Sequence, residues 1–502
     1  MTKKTEEKKL NVLYAVFEAE PFIKTGGLGD VGGSLPLAIC KAGVETRVIL
    51  PKFSKIPENY KKKMRRLAEF TVPLSWRTQY CGIETLKEKG VTYYFIDNEY
   101  YFNRPQPYGY FDDGERIAFF SKAILESLQY LADFEPDILH CNDWHTALVP
   151  VFLREQYMAL PLYQKIRTVF SIHNLKFQGI FSNAVLGDIL GLEKNKAAAD
   201  QLAWGYDAVN FMAAALRYSD RLTTVSPSYA EEIRDPWYGE ALEDIFQQRY
   251  SVLSGILNGI DQRKNSPGRD PHLELHYNSS TFKKGKPVNK AALQKQLGLA
   301  QKPDVPLLVI ISRLTEQKGL DLVLGVLSEL LQEDLQLAVL GVGEEKYEHA
   351  FRYYQGKMPK KVHAAITFDL PLSSQFYAGA DMLIMPSRFE PCGLSQMIAM
   401  RYGTIPIVRE TGGLKDSVIP YNQYEDTGDG FSFANYNAHE LLFTIKNALD
   451  VYHNHKKSWE GMIHRAMRKD FSWKHSAQQY VALYEELTGT GQKTEATESA
   501  DQ

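Results

Sequence analysis

The sequence predicts an α/β protein made of two doubly wound parallel-sheet halves. Three observations carry that reading. Short, wholly apolar runs alternate with amphipathic stretches, the pattern of strands buried on both faces and joined by helices. The alternation occurs twice, on either side of a polar stretch at 261–304 that contains Ser-Pro-Gly, Asp-Pro and Lys-Lys-Gly-Lys-Pro. The chain has 502 residues, 44% apolar and 24% charged, which is ordinary globular usage and long enough for two large domains.

In the first half the apolar runs place strands at 11–17, 46–50, 91–96, 137–140, 168–173, 222–225 and 255–257. Helices are expected at about 34–42, 115–131 and 203–218, from apolar residues at three-to-four spacing. In the second half strands are expected at 306–311, 335–340, 364–368, 382–385 and 404–408, with helices at 321–331 and 394–401. A last helix is expected at 471–487. The expected domains are 1–262 and 305–470, with 263–304 an inter-domain region and 471–487 a helix crossing back to the first domain. Residues 488–502 lack apolar periodicity and are expected to be a disordered tail. Ligands of doubly wound sheets bind beyond the carboxyl ends of the strands. Two such sheets facing one another place a ligand between the domains.

Composition excludes several classes. Lys plus Arg number 58 and Asp plus Glu 61, a net charge of −3, which argues against a protein dedicated to nucleic acid. The four cysteines, 40, 81, 141 and 392, are scattered and form no C-x-x-C pair, so neither a zinc ribbon nor a thioredoxin-like site is expected. Few, separated thiols suit a reducing compartment, and the expected location is cytoplasmic. The N-terminus carries both signs of charge before a short apolar run, so no signal peptide is expected, and no run reaches 18 apolar residues. D-x-D and H-E-x-x-H are both missing. His272 and His276 lie in the polar stretch and read as surface residues, so no metal site is expected.

Four short segments have the residue types of a site. Lys24-Thr25-Gly26-Gly27-Leu28-Gly29 follows the first strand and precedes a helix. Glycines let backbone N–H groups approach an anion, and a helix N-terminus favours negative charge. The string is neither a Walker A nor a G-x-G-x-x-G, and a turn with a solvated lysine fits it equally. Ser312-Arg313-Leu314-Thr315-Glu316-Gln317-Lys318-Gly319 puts a forked cation and a point charge across one strand-to-helix turn, where both can meet a diphosphate. Two solvated surface charges are the plain alternative. Pro386 to Ser395 supplies Glu390, Cys392 and a helix start beyond a strand, where a carboxylate and N–H groups can hold a polar ligand. By itself Cys392 reads as a small buried thiol. Ser171-Ile172-His173-Asn174 closes a strand, and His140 and Asp143-Trp144-His145 lie nearby; a lone histidine in such a place is more often structural. Together these segments describe a cationic diphosphate pocket with no metal, in which fixed cations and helix N-termini stabilise a departing nucleoside diphosphate.

These strings, with T-V-S-P-S-Y-A-E-E-I (224–233), L-N-G-I-D (257–261) and T-G-G-L (411–414), closely resemble the bacterial glycogen synthases and plant starch synthases. These are glucosyltransferases of the GT-B fold that use ADP-glucose. The likeness runs from about 11 to 485, in family order and spacing, with K-T-G-G-L as the signature. It implies that Lys24 contacts the donor diphosphate with Gly27 close by, and that Arg313 and Lys318 stabilise the leaving ADP. His173, with Asn174 beside it, faces the transferred glucose. Glu390, Cys392 and Gly393 hold glucose hydroxyls, and the N–H groups of Leu394 and Ser395 meet phosphate. Asn258 reaches the donor site from the first domain, Phe368 lies against adenine, and Asp112 is an acidic residue near the sugar. The implied reaction adds one α-1,4-linked glucose to the non-reducing end of an α-glucan, with retention. The implied partners are ADP-glucose and glycogen or malto-oligosaccharides, with no cofactor. The string Tyr101-Phe102-Asn103-Arg104-Pro105-Gln106 and the triplet Asn265-Ser266-Pro267 depart from the family pattern, which touches acceptor contacts and hinge packing.

Two other functions fit the same architecture: a UDP-glucose-using GT-B transferase, and a glucan-binding paralogue without catalysis. The intact Lys24, His173, Arg313, Lys318 and Glu390 argue against the second. No signature for a lysine-bound pyridoxal phosphate, which a phosphorylase needs, is present.

Overall fold

The Val-, Ile- and Leu-rich runs become parallel strands because only a sheet covered on both faces buries such runs completely. In the computed structural model, which describes residues 9–490, the chain forms two units. The first comprises 9–224, 233–256 and 473–490; the second comprises 225–232 and 257–472.

The first unit holds β1 (Asn11–Ala15), β2 (Glu45–Pro51), β3 (Arg65–Leu74), β4 (Arg77–Glu88), β5 (Val91–Asp97), β6 (Ile138–Asn142) and β7 (Arg167–Ile172). β8 (Ile180–Ser182), β9 (Ala203–Trp204) and β10 (Ala208–Asn210) form a separate three-stranded antiparallel sheet, and β11 (Arg221–Thr224) and β12 (Leu253–Gly255) complete the main one. Its order is β12-β11-β7-β6-β1-β2-β5-β4-β3, parallel from β12 to β5. The strand order reverses at the β1/β6 pair.

The second unit is a single parallel sheet of β13 (Leu307–Ile311), β14 (Gln336–Leu340), β15 (Val362–Ala365), β16 (Met382–Met385), β17 (Ile405–Arg409) and β18 (Phe431–Phe433). The order is β15-β14-β13-β16-β17-β18, which reverses at β13/β16. Its core is continuous from Leu307 on β13 to Trp459, Met462 and Phe471 near the end of the unit.

Several elements differ from expectation, each for a physical reason. The first helix begins at Gly27, not near 34, and runs to Lys41. A Cβ on Gly32 or Gly33 would lie 2.3 Å from the carbonyl oxygen of Glu18 or Glu20, so these turns pack directly on the chain leaving β1. Tertiary approach overrides the low helix propensity of glycine. The expected helix at 203–218 is helical only over Phe211–Tyr218, where the Asn210 side chain accepts from the Ala213 N–H as a cap. The β3–β4 hairpin, outside the expected strands, alternates exposed and covered residues rather than forming an apolar run. The polar 263–304 region contains a helix, Phe282–Gln296, in which Lys286, Asn289 and Lys290 are buried. Lys286 donates to the Ala378 and Tyr402 carbonyls and to Thr404, while Lys290 pairs with Asp381 at 2.7 Å. Buried lysines made a core-facing helix read as a linker. The compact units also divide the chain differently from the boundary at 262, since 225–232 and 257–262 pack in the second unit.

The last helix, Trp473–Thr488, belongs to the first unit and packs on the helix Gly27–Lys41. Most of the tail expected at 488–502 lies outside the described residues. Tyr484 of this helix is fully buried, and its hydroxyl meets His140 Nδ1 at 2.6 Å, while His140 Nε2 meets Ser171 Oγ at 2.7 Å. The Tyr484→Phe variant leaves one buried ring nitrogen unpaired. It should lower the unfolding free energy by about 1–2 kcal/mol. Urea unfolding followed through the first unit checks this, and an unchanged midpoint refutes it.

Candidate functional site

Each residue given a role by the family resemblance lies beyond the carboxyl end of a parallel strand, whereas His140 lies within β6. Lys24 follows β1, Asp112 follows β5, His173 and Asn174 follow β7, and Asn258 follows β12. Arg313 and Lys318 follow β13, Phe368 follows β15, and Glu390 to Ser395 follow β16. The strands on either side of each reversal, β1 with β6 and β13 with β16, carry most of them. At such a reversal neighbouring connections leave to opposite faces and open a crevice.

In the first unit Lys24 is half-buried and held by Asp30, Nζ to Oδ1 2.6 Å, rather than freely solvated. Thr25 is anchored by Glu18, through its backbone N–H and through its hydroxyl at 2.7 Å, and Tyr108 joins the same pair. Gly26 and Gly27 have open space where a side chain would be, and the helix that starts at Gly27 has no side-chain cap. Its first N–H groups are therefore free to meet an anion.

His173 is fixed at two points. Its backbone N–H donates to Asp143 Oδ1 at 2.7 Å, and its Nε2 lies 2.9 Å from Asn142 Oδ1. Burial lowers its pKa to about 4, so the ring is neutral near pH 7. Asp143 has a positive φ of 56°, which turns its carboxylate back onto His173 and Asn174. Burial pushes its pKa up to about 7, although those N–H groups pull the other way. His145 stacks on Phe17 at 4.8 Å between centroids, with both ring nitrogens buried and without a hydrogen-bond partner among the described residues. Asp112 is paired with Arg104 through both oxygens, at 2.6 and 2.5 Å. Burial opposes its ionisation, but Arg104 outweighs it and holds the carboxyl below the usual range. Asp112 thus stands as half of an ion pair.

In the second unit Lys318 Nζ lies 2.5 Å from Glu390 Oε2, which also accepts from Ser387 at 3.0 Å. Both partners sit on Oε2, which leaves Oε1 without a protein partner among the described residues. Gly319 makes this meeting feasible: φ is 67°, and a Cβ there would lie 1.9 Å from the Pro386 carbonyl oxygen. Arg313 is exposed, and its guanidinium has no protein partner among the described residues. Phe368 is 76% exposed, so one face of its ring is open to a ligand. Cys392 is buried and its thiol is pushed up to about 12 by burial, so it is no nucleophile. Leu394 precedes the helix Ser395–Arg401, which also has no side-chain cap. Asn258 lies in the second unit rather than the first, beside Cys392, with its Oδ1 buried and without a partner among the described residues.

Other residues of the site escaped the sequence reading. Ser226, Ser228 and Glu232, in the T-V-S-P-S-Y-A-E-E string, tie this segment to the second unit. Ser226 donates to the Pro391 carbonyl at 2.8 Å, Ser228 binds Asp416 through N–H and hydroxyl, and Glu232 accepts from Thr411 and the Gly412 N–H. These contacts cap the helix Gly412–Ser417 and hold the loop around Cys392. Asn142, next to Asp143 in sequence, carried no signal of its own. Among the described residues no group of three or more His, Cys, Asp or Glu is placed to hold a metal ion, and no helix is long and apolar enough to cross a membrane.

The raised pKa of Asp143 predicts a pH dependence with a definite sign. Between its ordinary value of 3.8 and about 7, the folded state holds a proton that the unfolded state has lost. The stability contributed by Asp143 is therefore fully present below that window and is lost as pH rises through about 7. The lowered pKa values of His140, His145 and His173 act in the opposite direction, so the comparison must be a difference. In Asp143→Asn the oxygen that accepts from His173 remains. Its unfolding free energy relative to the parent should rise with pH across that window. A difference that does not change with pH refutes the burial argument.

Comparison with known proteins agrees with this geometry. Residues 11–248 match the family described as starch synthase catalytic domain, and residues 292–460 match glycosyl transferases group 1. The glycogen synthase of Geobacillus thermodenitrificans is 52% identical over 478 residues, 95% of this chain and 98% of the relative. That of Bacillus subtilis is 50% identical over 483 residues, 96% of this chain and 99% of the relative. The catalytic domain of starch synthase IV from Arabidopsis thaliana, bound to ADP and acarbose, is 33% identical with a TM-score of 0.87, covering 96% of this chain and all of that one. A sucrose-phosphate synthase from Thermosynechococcus elongatus, 16% identical with a TM-score of 0.58 over 96% of this chain and all of its own, shares the fold alone. The chain belongs to the glycogen synthase family of glycosyltransferases, with the two doubly wound α/β domains of the GT-B fold.

Proposed function

We propose that the protein transfers glucose from ADP-glucose to the non-reducing end of an α-1,4-glucan, retaining configuration and releasing ADP. The observation that supports this best is the combination beyond β13 and β16. Lys318 meets a carboxylate with one open oxygen, and an uncapped helix start follows the same strand as that carboxylate, while Arg313, beyond β13, has a guanidinium with no protein partner among the described residues. The cations suit a diphosphate and the open oxygen suits a sugar hydroxyl. Two of the relatives named above are glycogen synthases, and the Arabidopsis starch synthase holds ADP and acarbose, which agrees with a nucleotide and a glucan as substrates.

Breaking the bond between the sugar and the diphosphate leaves negative charge on ADP. Arg313 and Lys318 are assigned to that charge, with Lys24 and the free N–H groups at Gly27, Leu394 and Ser395. Lys318 needs no large movement for this, because Glu390 already fixes its ammonium. Glu390 Oε1, Gly393 and the backbone at Cys392 are assigned to glucose hydroxyls, and the exposed Phe368 ring to the adenine face. His173, with Asn174 beside it, is assigned to the glucose as its charge becomes oxocarbenium-like. Asn258 Oδ1 is a buried acceptor with no protein partner among the described residues, fit to take a hydrogen bond from the donor. Asp112, held by Arg104, is assigned an electrostatic place near the sugar. A cytoplasmic setting agrees with four free thiols.

Purified protein should release ADP from ADP-glucose in a manner that depends on added glycogen, and more slowly from UDP-glucose. Lys24→Ala or Arg313→Ala should cut turnover by about a hundredfold or more, as expected for the loss of one charged stabiliser of a leaving group. Rates in these variants equal to the parent's, or glycogen binding without ADP release, would overturn the proposal. A faster rate with UDP-glucose would change the donor and leave the reaction class standing.

A further inference from the structure

Asn142, the last residue of β6, is fully buried, and its amide has only one orientation that satisfies its neighbours. Its Nδ2 donates to the Ala15 carbonyl at 3.0 Å and to the His140 carbonyl at 3.4 Å. Carbonyls only accept, so the nitrogen faces them and Oδ1 faces the other way. There Oδ1 meets two groups, the Tyr14 hydroxyl at 2.8 Å and His173 Nε2 at 2.9 Å. An amide oxygen also only accepts. Tyr14 must donate, and Nε2 of His173 must carry a proton. Since burial keeps the His173 ring neutral near pH 7, that is its only ring proton. Nδ1 is left with a lone pair and, among the described residues, no protein partner.

From this geometry we infer that Asn142 is a positioning residue that holds His173 as the Nε2–H tautomer, so that Nδ1 meets the transferred glucose as a hydrogen-bond acceptor. The inference rests on the assignment of His173 to the sugar made above. A sugar hydroxyl that donates to Nδ1 gains electron density, which suits an electron-poor oxocarbenium-like state. A ring N–H aimed at the same hydroxyl would withdraw density from it. Asn142 therefore acts through His173 and does not itself touch substrate. Tyr14, whose ring packs edge-on against His140 at 4.7 Å between centroids, supports Asn142 from behind.

Nitrogen-15 NMR of the full chain, labelled at histidine and assigned by the signals lost in His173→Gln, reads tautomer and charge directly. The parent should show a protonated Nε2 and a bare Nδ1 near neutrality. In Asn142→Leu the acceptor is gone. Two tautomers should exchange, with kcat for ADP release down about tenfold and KM for ADP-glucose changed less than about twofold. Asn142→Asp keeps the shape and sets a carboxylate against Nε2–H, so His173 should become doubly protonated in the neutral range. The groups facing His173 are Asp143, on its backbone N–H, and the buried neutral rings of His140 and His145. Asp143 itself titrates near 7, so protonation is read from the His173 signals and not from a pH–rate curve. If His173 keeps a single Nε2–H tautomer in Asn142→Leu, or stays neutral in Asn142→Asp, the inference is overturned. If instead His173→Gln turns over at the parent rate, the assignment of His173 to the sugar fails, and that outcome is separate from the tautomer result.

Discussion

The site depends on one topological constraint, the reversal of strand order at β1/β6 and again at β13/β16. A parallel strand must be followed by a crossover, and crossovers of one hand leave to opposite faces on the two sides of the reversal. The carboxyl ends of the two central strands are then left uncovered. Backbone N–H groups and helix starts collect there without partners, and polar side chains in this place can stay wet while the rest of the sheet is dry. The same residues placed on any other connection would be surface charges.

Around each reversal the polar groups hold one another in place before any ligand arrives. Glu390 fixes Lys318 and keeps one oxygen open. Asp30 fixes Lys24, Glu18 fixes Thr25, and Asp143 and Asn142 fix His173. These are short, charge-assisted or fully buried contacts, so the groups are held with little left to reorganise. Close backbone approach makes the arrangement feasible: Gly32 and Gly33 against the carbonyls of Glu18 and Glu20, and Gly319 against that of Pro386. A net charge of −3 revealed none of this, since a handful of cations at strand ends hardly moves a total of 58 against 61.

Where sequence reading and structure part, the cause is the same each time. Apolar periodicity reports burial by apolar residues, and elements that bury polar ones escape it. Phe282–Gln296 looked like a linker because Lys286 and Lys290 face its core, satisfied by carbonyls, Thr404 and Asp381. Gly27–Lys41 looked like a loop at its start because its glycines are there for contact with another segment. The β3–β4 hairpin alternates instead of running apolar. Asn258 read as part of the first half by its place in the chain, yet it packs beside Cys392 because the segment from Leu257 onward belongs to the second unit.

The sequence by itself determined the α/β class, twelve of the thirteen strands of the parallel sheets to within a few residues, with β18 the exception, and the family motifs. It could do so because period and motif are local properties of the chain. Only the tertiary structure decided which oxygen of Glu390 pairs with Lys318, which ring nitrogen of His173 faces Asn142, and that Asp143 is raised while Asp112 is lowered. Those outcomes depend on burial and on partners many residues away: Lys318 lies 72 residues from Glu390, and Asn142 lies 31 from His173. Desolvation and long-range hydrogen bonding have no signature in a local pattern.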